Sequence, residues 1–274
     1  MIRVNNVSYS YVESDEIEGV RPALQGVTLE VAEGSYVALM GSNGSGKSTL
    51  ARMLNGLLQP ESGTVTVDGM DAAEPAIQQQ LRRSVQFVFQ NPENQIVGVT
   101  VEDDIAFGLS NLKVPRDEMR KRITWALETV GLQGREREAT MDLSGGEKQK
   151  LALASVLVML PRYLVMDEPT SMLDPGARAH FLDMLIDIHR QQGIGLLHIT
   201  HDYEEIRRAD RVVLFREGRV MGQGTPLASL ETPELLASCG IELPYLAAVS
   251  AALRQRGVRL PVWPTEEEVI RALC

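Results

Sequence analysis

Hydrophobic and polar residues alternate in the first forty positions of the chain. Residues 3–11 and residues 23–31 show this alternation, and Tyr36–Met40 is a short apolar run, so three strands are predicted here. The polar, acidic residues 13–18 predict a turn between the first two strands. The third strand leads directly into a glycine-rich segment.

Helical spacing replaces alternation after this segment. A helix is predicted to end near residues 59–60, with four apolar residues on one face: Leu50, Met53, Leu54 and Leu57. Residues 63–69 predict a strand that ends in the Asp-Gly turn of a hairpin. From about residue 91 to residue 145 the pattern indicates helices, one of them opened by Pro115 and ended by Gly131.

Apolar runs return in the second half of the chain. Residues 163–166 and 195–200 are predicted buried strands, residues 151–160 a buried helix, and the alternation of strands and helices predicts a parallel α/β sheet. The tail differs, with a helix predicted within residues 244–257 and a capping box at residues 265–268. We therefore predict one large domain over residues 1–230, with a helical subdomain inserted at about 91–145, and a helical extension over residues 231–274.

Composition narrows the classes of protein that fit. The 274 residues are 44% hydrophobic and 23% charged, with a net charge of −10, which is typical of a globular domain and disfavours nucleic acid as a partner. The only cysteines, Cys239 and Cys274, form no CxxC pair, so we expect a reduced intracellular compartment. No run of 18 apolar residues occurs, and the N-terminus lacks the apolar core of a signal peptide. Any role at a membrane is therefore expected to depend on a partner.

The glycine-rich segment has the GxxxxGK[ST] spacing of a phosphate-binding loop, which we call the P-loop. It consists of Gly41, Ser42, Asn43, Gly44, Ser45, Gly46, Lys47, Ser48 and Thr49. Glycines let several backbone N–H groups converge on one phosphate, the lysine adds a positive charge, and the Ser48 hydroxyl is a ligand for Mg²⁺. A strand before it and a helix after it distinguish this loop from a chance glycine-rich turn.

Two carboxylates follow the predicted strand at residues 163–166. That strand delivers Asp167 to the carboxyl edge of the sheet, where the side chain is expected to hold Mg²⁺, and it places Glu168 one residue further as a general base. An apolar run followed by Asp-Glu is weak evidence by itself, because many strands run into acidic turns. Together with the P-loop it predicts ATP hydrolysis.

A second anion site is predicted at Ser144, Gly145 and Gly146. Ser144 and Glu147 form a capping box, so a helix begins here with free N–H groups beside a hydroxyl. A plain helix cap would explain the same residues. One ATP needs only one γ-phosphate site, however, and two chains facing head to tail would use both sites if each P-loop were closed by the other chain's Ser144.

These motifs, in this order, resemble the ATP-binding subunits of ABC transporters over about residues 1–230. The resemblance implies the ABC ATPase fold, with an antiparallel β subdomain, ATP and Mg²⁺ as cofactors, and a dimer of ATPases. It also implies that Tyr11 stacks on adenine, that Gln90 contacts Mg²⁺ and the attacking water, and that His201 contacts the γ-phosphate. Residues 171–174 resemble the loop that communicates across the dimer. His198, two residues before His201 on the same strand, is predicted to be structural.

Smaller features narrow the resemblance. Residues 89–95 and 170–175, with the tail segments around residues 224–261, resemble the first type of ATPase in energy-coupling factor transporters, which import vitamins or transition-metal ions. This implies a second ATPase subunit, a transmembrane coupling subunit and a substrate-binding membrane subunit as partners, and a peripheral position on the cytoplasmic face of the cell membrane. Glu147 and Lys150 stand where the family more often has Gln and Arg.

Three alternatives share the same cassette. A soluble ABC protein that acts on nucleic acid or the ribosome usually has a long coiled-coil insertion or two cassettes, and neither occurs here. An ATPase of iron–sulfur assembly fits residues 91–95 and the long tail less well. An ATPase of another importer would differ only in its partner. A P-loop kinase is excluded by the combination of Ser144, Gly145 and Gly146 with Glu168.

Overall fold

The structure, a computed structural model, describes residues 1–12 and 20–273. The predicted turn at residues 13–18 and Cys274 lie outside the described residues. The strands are β1 Ile2–Val12, β2 Val20–Val31, β3 Tyr36–Met40, β4 Ser62–Val67, β5 Met70–Asp71, β6 Val85–Val88, β7 Tyr163–Asp167, β8 Gly195–Thr200, β9 Arg211–Arg216 and β10 Arg219–Gly224. The helices are α1 Lys47–Leu54, α2 Gln78–Ser84, α3 Val101–Asn111, α4 Arg116–Val130, α5 Gly145–Leu157, α6 Pro175–Gln192, α7 Pro226–Ser229, α8 Pro233–Ser238, α9 Tyr245–Gln255 and α10 Glu266–Leu273.

The first sheet is antiparallel and has the order β2-β1-β4-β5. Its buried face, which includes Ile2, Leu29 and Val65, belongs to one apolar cluster with Leu50 and Leu54 of α1. The Asp-Gly turn between β4 and β5 has positive φ at both residues, 51° and 83°, which is the geometry that a two-residue hairpin requires. The predicted antiparallel subdomain and hairpin are confirmed.

The second sheet has the order β10-β9-β3-β8-β7-β6, with parallel pairing everywhere except at the edge pair β9 and β10. Its central strands are fully buried, which explains their continuous apolar sequences. Because β3, β8 and β7 are neighbours, their carboxyl ends meet at one edge of the sheet. The segments that follow Met40, Asp167 and Thr200 therefore come together, and these are the segments that carry the predicted site.

One predicted helix boundary was wrong, and several elements were not predicted. Helix α1 ends at Leu54 rather than near residue 59, because the chain turns at Gly56 with a φ of 72°, and Leu57 is exposed instead of lying on the buried face. The strands β6, β9 and β10 and the helices α2 and α6 were not predicted. Gly131 ends α4 in the left-handed conformation, as predicted, with a φ of 71°.

Helices α3, α4 and the start of α5 form the region predicted as an inserted helical subdomain. Helix α5 is buried over most of its length, as predicted for residues 151–160. At the C-terminus, the Thr265 hydroxyl accepts a hydrogen bond from the Glu268 N–H, and the Glu268 carboxylate accepts one from the Thr265 N–H, which forms the predicted capping box of α10. None of the described helices is long and apolar enough to cross a bilayer.

Candidate functional site

The P-loop connects β3 to α1, and two of its glycines leave no room for a side chain. A Cβ at Gly41 would lie 2.1 Å from the Phe215 carbonyl oxygen, and one at Gly46 would lie 2.3 Å from the Ala23 carbonyl oxygen. Gly46 also has a φ of 105°, which other residues rarely adopt. The loop is therefore held close against β9 and β2, with its backbone free to surround an anion.

The Lys47 side chain points back toward the first residues of the P-loop. Its Nζ atom donates hydrogen bonds to the carbonyl oxygens of Gly41, at 2.8 Å, and Ser42, at 2.9 Å. Burial lowers the pKa of Lys47, although the nearby carboxylates of Glu168 and Asp167 oppose this shift. The loop thus presents a buried ammonium group where the phosphates of a nucleotide would lie.

Asp167 ends β7 beside the first turn of α1. Burial raises the pKa of its carboxyl group, whereas a hydrogen bond from the Ser48 hydroxyl and the charge of Lys47 act in the opposite direction. Hydroxyl and carboxylate oxygens are the ligands that Mg²⁺ prefers. The pair Ser48 and Asp167 therefore fits the divalent cation that accompanies ATP.

The three residues predicted to be catalytic, Gln90, Glu168 and His201, lie next to one another. One carboxylate oxygen accepts a hydrogen bond from Gln90 Nε2 at 3.0 Å, and the other lies 3.3 Å from His201 Nδ1. Glu168 has a φ of 47°, and its N–H donates to the Ile199 carbonyl of β8 at 2.9 Å. Left-handed backbone at a non-glycine residue is strained, and such strain is concentrated at functional sites. In this conformation the carboxylate lies beside Gln90 and His201.

A cavity of about 410 Å³ lies between Tyr11, the P-loop and Glu168. Tyr11, P-loop residues 43, 44 and 46–49, Gln90, Asp167 and Glu168 line it, whereas His201 is not among the described residues that do. Tyr11 is 39% exposed, and its hydroxyl lies 3.3 Å from the Thr49 hydroxyl, so the ring stands at the P-loop rather than in the core. This position suits a ring that stacks on a base.

Ser144, Gly145 and Gly146 are not among the described residues that line this cavity. Ser144 is the exposed N-cap of α5, and its capping box with Glu147 forms as predicted. Hydrogen bonds from the Ser144 hydroxyl and N–H, together with an ion pair to Arg135, lower the pKa of Glu147 to about 2. Arg135 thus balances the negative charge that Glu147 brings to this helix terminus.

Residues around Gln90 hold its segment against α5. The Gln95 side chain accepts a hydrogen bond from the Phe89 N–H at 3.3 Å and donates one to the Ala152 carbonyl at 2.9 Å. Asn91 caps the following turn by accepting from the Glu93 N–H. The segment at residues 89–95 therefore links Gln90 to helix α5, whose N-cap is Ser144.

A buried charged residue next to the site, Glu205, was not predicted from the sequence. Glu205 is 4% exposed and accepts hydrogen bonds from the hydroxyls of Thr170 and Thr200. Thr170 follows Glu168 by two residues, and Thr200 directly precedes His201, so one carboxylate joins the segments that carry Glu168 and His201. Its position in a polar, charged stretch gave no signal of burial.

The same carboxylate explains the environment of His198. Glu205 lies 3.4 Å from His198 Nε2 and 3.7 Å from Arg178 Nε. His198 is completely buried, and its Nδ1 atom lies 2.8 Å from the Tyr36 hydroxyl. The prediction that His198 is structural is confirmed.

Comparison with known proteins gave consistent matches. The family model described as "ABC transporter" matches residues 24–171. The chain is 45% identical to the energy-coupling factor transporter ATP-binding protein EcfA1 of Symbiobacterium thermophilum, covering 100% of this chain and 96% of that protein. It is 43% identical to the cobalt import ATP-binding protein CbiO of Syntrophus aciditrophicus, covering 94% and 90%.

Solved structures share the fold. CbiO1 of Clostridium perfringens, described as part of the ABC transporter complex cbiONQ, aligns with a TM-score of 0.78 and 33% identity, over 92% of this chain and 98% of that chain. The ATP-binding cassette MJ0796, a dimer in a post-hydrolysis state bound to ADP and Pi, aligns with a TM-score of 0.74 and 28% identity, over 82% and 99%.

Proposed function

Because the chain belongs to the ABC transporter family of ATP-binding proteins, with relatives among energy-coupling factor and cobalt-import subunits, we propose that it powers an importer of vitamins or transition-metal ions. ATP binding and hydrolysis are the activities of this family. The observation that carries the proposal is the convergence of Gln90 and His201 on Glu168, at 3.0 Å and 3.3 Å, beside the P-loop.

ATP binds in the cavity between Tyr11 and the P-loop. The Tyr11 ring stacks on the base, and the loop from Gly41 to Thr49 surrounds the phosphates with N–H groups and the Lys47 ammonium. Ser48, Asp167 and Gln90 are the residues that would hold Mg²⁺. When bound, this ion neutralises charge on the phosphate oxygens during transfer.

Glu168 is the general base of the proposed reaction. Its carboxylate is turned toward the cavity and accepts a proton from water as that water attacks the γ-phosphate. Gln90 donates a hydrogen bond to one carboxylate oxygen and thereby orients it, and His201 lies beside the other. Because His201 is 58% exposed at its side chain, it is free to turn toward a phosphate.

The complete site requires a second ATPase subunit, identical or different. Ser144, Gly145 and Gly146 lie outside the cavity of their own chain, and Ser144 is exposed at a helix N-terminus. A head-to-tail dimer brings them to the γ-phosphate of the partner. The dimeric state of the similar cassette MJ0796 supports this arrangement.

The remaining partners are a transmembrane coupling subunit and a substrate-binding membrane subunit, with this chain on the cytoplasmic face of the cell membrane. The printed names of the relatives, which describe import, support this part of the proposal. Residues 1–230 form the ATPase domain, with residues 91–145 as the inserted helical subdomain, and residues 231–274 form the C-terminal extension.

Glu168→Gln tests the assignment of the base. The variant keeps both hydrogen-bonding positions but loses the proton acceptor, so we expect unchanged Mg-ATP affinity and a turnover lowered about 10²- to 10⁴-fold. Affinity is measured by isothermal titration calorimetry and turnover by phosphate release. Glu74→Gln, at an exposed carboxylate, is the matched control. Near-normal turnover in Glu168→Gln would exclude Glu168 as the base.

A further inference from the structure

The C-terminal extension, residues 231–274, contacts the P-loop at Ser42. The Ser42 N–H donates a hydrogen bond of 2.8 Å to the carbonyl oxygen of Cys239, at the end of α8. Gly240 packs directly on Ser42, since a Cβ at Gly240 would lie 2.9 Å from Ser42 Cβ. Leu236 and Cys239 are completely buried. The end of α8 is therefore anchored in the core while it touches the phosphate-binding loop.

Ser42 transmits this contact to the residue that meets the phosphates. Its carbonyl oxygen accepts hydrogen bonds from Lys47 Nζ, at 2.9 Å, and from the Ser45 N–H, at 3.2 Å. Its N–H is engaged by Cys239 and is thus not offered to a nucleotide. A shift of the turn at Cys239 would move the Ser42 peptide and, with it, one of the two carbonyls that position the Lys47 ammonium.

A second contact reaches the segment that follows His201. The Trp263 ring meets Tyr203 edge to face, with 5.6 Å between centroids, and the Arg207 guanidinium lies 4.9 Å from the same ring. Trp263 Nε1 donates to the Glu204 carboxylate at 3.3 Å. Trp263 is 8% exposed, so this is a buried aromatic contact. It ties the extension to residues 203–207, directly after His201 and Asp202.

We propose that the C-terminal extension positions the ATP site through contacts outside the cavity. Cys239 and Gly240 hold the P-loop at Ser42, and Trp263 holds the segment that follows His201. This inference rests on the proposed function, because it assumes that the P-loop binds ATP. Cys239, Gly240 and Trp263 are positioning residues, and none of them lines the described cavity. A displacement of the extension would consequently change ATP affinity without altering any residue that touches ATP.

Gly240→Ala tests the contact, and Gly257→Ala is its matched control. Both glycines lie in the extension, are exposed and have left-handed φ values of 70° and 87°, so both substitutions incur the same kind of backbone strain. Only Gly240 faces the P-loop, because a Cβ at Gly257 would meet nothing within 4 Å. The atoms that would collide are Cβ atoms next to the backbone, and hence the loop itself must shift.

We expect Gly240→Ala to weaken Mg-ATP binding about tenfold, since small displacements of binding groups have effects of this order or larger. Gly257→Ala should stay within about twofold of the wild type. Dissociation constants are measured by calorimetry on the full chain, with circular dichroism to verify folding. Equal affinity in folded Gly240→Ala and wild type would overturn the inference and leave the proposed function intact. A wild-type chain that does not bind Mg-ATP would overturn the proposed function itself.

Tryptophan fluorescence provides a second measurement that does not need the Gly240 variant to fold. The chain has two tryptophans, so Trp125→Phe leaves Trp263 as the only tryptophan. We expect its emission to change on titration with Mg-ATP, with a midpoint equal to the calorimetric dissociation constant. Constant Trp263 emission while calorimetry reports binding would overturn the proposed link between the extension and the His201 segment.

Discussion

Replacing Glu205 by glutamine would remove a buried charge on which four side chains converge. Thr170 and Thr200 donate hydrogen bonds to its carboxylate, and His198 and Arg178 lie within 3.4 Å and 3.7 Å of it. Burial by itself raises the pKa of Glu205, but the His198 contact and the two hydroxyls dominate and lower it to about 2. Glutamine keeps the size of the side chain and presents an amide N–H₂ to groups that donate hydrogen bonds.

The lowered pKa sets the expected size of the effect. A fall from 4.5 to about 2 corresponds to roughly 3 kcal/mol of the free energy of unfolding at pH 7, at about 1.36 kcal/mol for each pKa unit. Removing one member of a buried ion pair typically costs about 3–5 kcal/mol, which agrees. For a chain of this length the unfolding entropy converts that loss into a Tm lower by about 6 °C.

The sign of the pH dependence follows from the direction of the shift. Because the folded-state pKa of Glu205 lies below the unfolded one, the stabilisation is complete above pH 4.5 and is lost as the pH falls toward about 2. The difference between wild type and Glu205→Gln should therefore shrink by more than half between pH 7 and about pH 3.

Urea unfolding at both pH values, followed by circular dichroism, measures this difference. Glu118→Gln is the control, because Glu118 forms an exposed ion pair with Arg122 at 2.8 Å and should leave the unfolding midpoint close to the wild-type value. The reasoning fails if Glu205→Gln is as stable as wild type at pH 7. It also fails if the difference is as large at pH 3 as at pH 7.

Two further predictions concern the assembly. If each ATP site combines the P-loop of one chain with Ser144 of another, Ser144→Arg and Lys47→Ala should each be inactive alone. Their mixture should regain turnover, because each dimer that contains one chain of each variant has one intact site. No recovery at any mixing ratio, under conditions in which wild type alone hydrolyses ATP, would contradict the head-to-tail arrangement. Detergent extraction of the tagged chain from its own cells should recover membrane subunits and a second ATPase, and recovery with soluble assembly proteins alone would contradict the importer assignment.

Site residues that belong to short motifs with a fixed spacing were predictable from the sequence. The P-loop needs its glycines and Lys47 at fixed separations, and Glu168 must follow a buried strand, so both are visible in a short stretch of sequence. By contrast, β10 was missed because it contains Gly222, Gln223 and Gly224, which dilute its apolar pattern. Strand β9 carries the apolar run of residues 212–215 and was predictable, although it was not predicted.

The parts that escaped prediction depend on backbone atoms and on burial between distant segments. The Ser42 N–H donates to the backbone carbonyl of Cys239. Almost any residue type at that position would supply the same carbonyl, so the contact has no signature in the sequence. In the sequence, Glu205 is one of several charged residues in a short stretch. Only the fold places its carboxylate between Thr170 and Thr200. The residues proposed to perform the chemistry can thus be recognised from single sequence motifs. The residues that hold them in place can be recognised only from the three-dimensional structure. Variants of the second kind should therefore change ATP affinity or stability while every recognisable motif remains intact.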